Sequence, residues 1–240
     1  MNGINERHST FAPRISKQYD NRPMRNIQAS VRESWIAERL KPFFKEQGFT
    51  WLPHLHQFRK STERGFTCVI IAVSDYEDCS LLEAHLGIRI DEVENLTFPF
   101  TNGLPGFQPD SMTIVTPLSR LNDKPFERFE LREEDSADQA VSAIRIQLQQ
   151  KGLHFINHYS SLEKMEALYN ETPEKALVFV NNQANRCFRA VVLAQLLLRK
   201  DFEQLADTYR HHLEKELFTP HATLDKYTRL VDFLRFYSQN

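Results

Sequence analysis

His54 and His56 stand two residues apart in a stretch that reads as a strand, so their imidazoles share one side of it. With His85 from a neighbouring strand they form the constellation best suited to metal chemistry in this sequence. Three imidazoles can hold a divalent ion, and Glu83 or Asp75 could supply a carboxylate beside an open coordination position. That arrangement would serve a metal-dependent hydrolase. The same spacing arises readily by chance in a half-wet strand, where a row of polar side chains facing solvent is the simpler reading. No bound metal and no cofactor is therefore expected.

Other chemistry-bearing residues lack the company their chemistry needs. His154 and His158 are four apart, the spacing of two ligands on one helix face, but Phe-Ile-Asn between them omits the glutamate of a metalloprotease. His211 and His212, adjacent on a helix, point in different directions. No serine lies in a Gly-x-Ser-x-Gly context, and none of Cys68, Cys79 and Cys187 carries a nucleophile signature. The segment from Asn102 to Phe107 has two glycines without the spacing, or the Lys-Ser/Thr, of a phosphate-binding loop. Asp75-Tyr-Glu-Asp78 lacks the glycine and closing glutamate of a calcium loop and reads as a turn.

The strongest local signal is the connection from Asn95 to Asp110. It spans sixteen residues with three prolines, two glycines and the aromatics Phe98, Phe100 and Phe107. Connections this long within a folded domain are commonly functional or disordered, and so many aromatics fit disorder poorly. Two readings follow. The segment is an aromatic flap closing the end of a sheet, or it is a binding loop whose phenylalanines anchor a protein partner. Phe98, Phe100 and Phe107 are accordingly the candidate partner-binding residues.

Composition bounds the class. A hydrophobic fraction of 41% with 18 Phe supports a large core, and a net charge of −2 offers no overall field for nucleic acid. Three cysteines without CxxC pairing argue against a disulfide framework and against structural zinc. No apolar stretch suits a signal peptide or a membrane span, so a cytoplasmic protein without membrane association is expected.

The elements that must position these residues read as an α+β fold. Residues 1–26, rich in Ser, Asn, Arg and Pro, read as a flexible tail. Val31, Trp35, Leu40 and Phe43/Phe44 recur at helical spacing, with Pro42 as a kink or new first turn and Gly48 as the stop. Segments 49–52, 54–58, 66–73, 81–93, 111–118 and 126–131 then read as strands of an antiparallel meander. From Asp135 the chain turns helical. Ser136/Gln139 and Ser160/Glu163 read as capping boxes, Gly152 as a helix stop, and Thr172-Pro173 and Thr219-Pro220 as helix starts. Residues 27–133 and 134–240 together should form one unit.

Leu40 to Phe49 followed by Phe58-Arg-Lys, then His85 to Ile90 and Leu148 to Ser161, resemble an uncharacterised bacterial family known only as a domain of unknown function. The likeness covers about residues 38–170 and implies the order helix, strands, helices, without catalytic residues. Val191 to Leu205 is similar to a single helical hairpin of the tetratricopeptide kind. These observations favour a non-catalytic, partner-neutralising or immunity-like bacterial protein that binds another protein. A hydrolase using His54, His56 and His85 is the alternative.

Overall fold

A computed structural model of the chain describes residues 24–77, 79–101, 103–122, 127–131 and 134–237. Most of the expected tail, together with Asp78 and Phe126, lies outside the described residues. Helix α1 (Met24–Glu46) begins inside the segment read as tail and continues through Pro42. Phe44 explains why the last turn survives the lost main-chain bond: its ring stacks 4.0 Å from Phe58 and meets Phe43 and Phe49 edge-on. Gly48, at φ 79°, ends the helix in a left-handed turn, with Gly48 N bonded to Lys45 O and Phe49 N to Phe44 O. The buried stripe is Ile36, Ala37, Leu40, Phe43 and Phe44; Val31 and Trp35 are exposed. The helical period and the Leu40, Phe43 and Phe44 face are as expected, but toward the N-terminal side Ile36 and Ala37 turn inward in place of Val31 and Trp35.

Six strands follow: β1 (Thr50–Leu52), β2 (Gln57–Thr62), β3 (Gly65–Asp75), β4 (Ser80–Ile90), β5 (Ile114–Pro117) and β6 (Phe129–Leu131). They pair antiparallel in the order β1-β2-β3-β4-β5, with β6 beside β5 on the same edge of β4. Phe58, Val69, Ile71, Leu82, Leu86 and Ile88 point to one face, which α1 and the later helices cover. The alternate residues Arg59, Cys68, His85, Gly87 and Arg89 point to the other.

The β2–β3 hairpin depends on Gly65, whose φ of +144° would place an added Cβ 2.4 Å from the Arg89 carbonyl oxygen. Gly65→Ala should therefore cost about 2 kcal/mol or more in urea denaturation, from strain in a region L-residues avoid. Gly106→Ala, which meets nothing within 4 Å, should change stability by less than about 1 kcal/mol.

The C-terminal half is helical: α3 (Glu134–Gln147), α4 (Leu153–Tyr159), α5 (Leu162–Asn170), α6 (Gln183–Leu196), α7 (Phe202–His211) and α8 (His221–Tyr237). Several expected boundaries move. Ser136 lies inside α3 rather than capping it, and Ser161, not Ser160, caps α5 by accepting from Lys164 N. Gly152 does not stop a helix. A wide π turn over Leu148–Gly152 joins α3 to α4, and a Cβ on Gly152 would come 3.0 Å from Leu118 and Leu148. The glycine is there for close packing.

Thr172-Pro173 starts no helix: residues 171–181 run as turns, closed by Lys175 N to Thr172 O and Val180 N to Leu177 O and tied further by side chains. Buried Arg186 donates to the carbonyls of Tyr169, Thr172 and Lys175, while Gln183 bonds Leu177 and Val180. Asn182 is the true cap of the next helix, accepting from Asn185 N. One continuous set of buried apolar side chains joins the sheet to α3–α8. Among the described residues, no helix is long and apolar enough to cross a membrane.

Candidate functional site

The strand β4 ends at Ile90 and not at Val93, because Asp91, Glu92 and Glu94 supply three acids to the first turn of a helix. Negative side chains offset the positive N-terminal end of the helix dipole. This helix, α2 (Asp91–Thr97), lies between β4 and β5 and is not foreseen from the strand pattern. Val93, Glu94 and Thr97 turn inward. Glu94 is 1% exposed and receives a two-pronged ion pair from Arg189 of α6, with N···O distances of 2.8 and 2.9 Å. Burial works against the Arg189 charge, but the attraction and hydrogen bonds of Glu94 outweigh it and hold the guanidinium pKa above its ordinary value. The pair fastens the start of the aromatic segment to the helical half.

Beyond α2 the chain makes two short 3-10 turns, Phe98–Phe100 and Pro105–Asp110, before entering β5. Arg89 ties the two ends of this segment together. It is 5% exposed and donates to Gln108 O at 2.7 Å, Ser111 O at 2.9 Å, Ser111 Oγ at 2.7 Å, Asp91 Oδ1 at 2.5 Å and Asn95 Oδ1 at 3.3 Å. A planar fork of five N–H donors suits arginine to this position. Arg59 repeats the device, lying 3.7 Å over the Phe66 ring and pairing with Asp110 at 2.7 Å. The segment is thus braced irregular backbone, tied at both ends.

The three candidate phenylalanines have different surroundings. Phe98 is half-buried, with its ring over Gly103, where a Cβ would come within 2.5 Å. Phe100 packs on the core and lies 5.7 Å from Phe233 of α8. Phe107 stays 65% exposed, with Leu104 at 66% on the same turn. Phe98 and Phe100 thus lie against the protein's own surface, whereas Leu104 and Phe107 stand in solvent. On α8, Phe233 is 5.9 Å from Tyr237, and Phe236 is exposed beside them. Phe233 and Phe236 fall off the buried stripe Tyr227, Leu230, Val231 and Leu234.

The histidines are placed otherwise than expected. His54 is in a 3-10 turn (Pro53–Leu55) and His56 is its left-handed cap at φ 50°, so neither is in a strand. Pro53 breaks the alternation on which their shared side depended. His56 Nδ1 lies 2.8 Å from Glu33 of α1, while His85 points from β4 to the face away from the helices. Burial, opposed by Glu83 and aided by Arg120 and Arg128, lowers the His85 pKa. Glu83 pairs with Arg128 and Asp75 with Arg32. Among the described residues, no group of three His, Cys, Asp or Glu side chains could hold a metal ion. His154 and His158 stack at 5.6 Å between ring centroids.

Of the thiols, Cys68 and Cys187 are buried and Cys79 is partly exposed. Burial pushes the Cys68 thiol up to about 12 despite the nearby Arg59. A thiol reagent at mild alkaline pH should label Cys79 well before the other two, which should react only on unfolding. Rapid labelling of all three under native conditions would contradict this burial.

Comparison with protein-family models, with curated proteins and with solved structures found no match. The fold and the site define an α+β protein with an arginine-braced aromatic loop.

Proposed function

We propose that this chain is a non-catalytic protein-binding module of the partner-neutralising kind, and that Leu104 and Phe107 are its anchors. The supporting observation is the brace: Arg89, almost fully buried, fixes the main chain at Gln108 and Ser111 while two large apolar side chains beside it stay in solvent. Ordering a mobile loop on binding costs free energy, and a loop already held avoids most of that cost. Aromatic side chains at the centre of an interface commonly dominate its affinity. Phe98, against Gly103, and Phe100, joined through Phe233 to α8, serve as the support beneath.

The test is affinity capture of the tagged chain from its source cells, with the unaltered protein and Phe107→Ala run side by side. A stoichiometric protein partner is expected with the former. The substitution should weaken retention by about 2 kcal/mol, roughly thirtyfold. Equal retention by both proteins would remove the loop from the account, and no stoichiometric partner would remove the account itself.

A further inference from the structure

The opposite face of the sheet edge carries a second feature. Between the end of α1 and strand β1 runs an open groove of about 750 Å³, with Phe49, Trp51 and Phe58 among its lining residues and Lys41 and Lys45 beside them. Lys60 adds a third cation, its ammonium 5.8 Å from the Phe49 ring centroid. Lys41 is paired with Glu38, but no ion pair joins Lys45 or Lys60 to an acid among the described residues. β1 is the end strand of the sheet and pairs only with β2, so its other edge carries no strand among the described residues.

We propose that this groove takes an extended peptide segment of another protein, with a bulky apolar side chain flanked by Asp or Glu. An open sheet edge offers main-chain hydrogen-bonding groups to an added strand, and the adjoining floor selects side chains at alternate positions. Trp51 and Phe58, directly opposite in register, form the apolar floor, and the lysines supply charge complementary to carboxylates. The chain's own N-terminal segment is a poor occupant, since Arg7, Arg14, Lys17 and Arg22 outnumber Glu6 and Asp20 there. The groove is separate from the Phe107 loop: Phe58 faces α1 while its neighbour Arg59 faces the loop.

The experiment is selection of a random peptide display library on the full chain, followed by titration of the enriched peptides. Enriched sequences should place acids around an aromatic or large aliphatic residue. Their binding should weaken at least about tenfold in Lys41→Glu/Lys45→Glu, weaken in Trp51→Ala, persist in Lys41→Arg/Lys45→Arg, and be unchanged in Phe107→Ala. Circular dichroism melting of each variant separates loss of the groove from loss of the fold. The proposal is overturned if no sequence enriches, if enriched sequences lack acids, or if their binding follows Phe107 and ignores the lysines.

Discussion

Arg89→Met should lower stability by about 2–4 kcal/mol, because a buried guanidinium loses its place and several charged hydrogen bonds to part-buried main-chain and side-chain oxygens go with it. The carbonyls of Gln108 and Ser111 lose the Arg89 donor together, at 2.7 and 2.9 Å, and Gln108 O keeps only the bonds from Ser111 N–H and Oγ–H. The Asp91 arm contributes little, since that carboxylate is half-exposed and screened by water. Lysine should not rescue the site: one ammonium cannot span acceptors on both sides of the segment. The expected signature is local as well as global. Limited proteolysis under native conditions should begin to cut between residues 101 and 110, and partner binding should fall with it. Unchanged resistance of that segment in a folded Arg89→Met protein would mean that the brace is not what orders the loop.

Breaking the Glu94–Arg189 pair should have an effect at least as large. Removing one partner leaves a charge in a site that is almost dry, which costs about 3–5 kcal/mol. Either Glu94→Gln or Arg189→Met should show this in urea denaturation. Replacing both, as Glu94→Leu/Arg189→Met, should recover most of the loss, because neither charge then has to be desolvated. Equal destabilisation in the double and single variants would instead assign the effect to packing between α2 and α6. Tyr169 bears on the same junction: its hydroxyl donates to Thr113 O at 2.5 Å, and burial pushes its pKa well up.

The sheet is legible in the chain because strands with one buried face alternate, and Leu82, Ala84, Leu86, Ile88 and Ile90 do so without interruption. The stripe Phe202, Leu205, Ala206 and Tyr209 is legible for the corresponding helical reason. What escapes is settled by tertiary bonds that no local pattern carries. Arg186 at Thr172 and Lys175, and Gln183 at Leu177 and Val180, hold residues 171–181 as turns, so Thr172-Pro173 signals a start that never occurs. Gly152 serves packing against Leu118 and not termination. At the candidate site, the aromatic segment stands out by composition, whereas the exposure of Phe107 beside half-buried Phe98 and Phe100 depends on how Arg89 ties the chain at Asn95, Gln108 and Ser111. His54 and His56 mislead because Pro53 turns the chain just where a strand reading needs it straight.

The most direct measurement is a calorimetric titration of the purified, captured partner against three proteins: the unaltered chain, Leu104→Ala/Phe107→Ala, and Val178→Ala. Val178 is a control, an apolar side chain 69% exposed on a different segment. The double substitution should weaken binding by at least about 2 kcal/mol while Val178→Ala leaves it unchanged. Undiminished affinity in the double variant, with the fold intact by circular dichroism, would contradict a binding role for the loop.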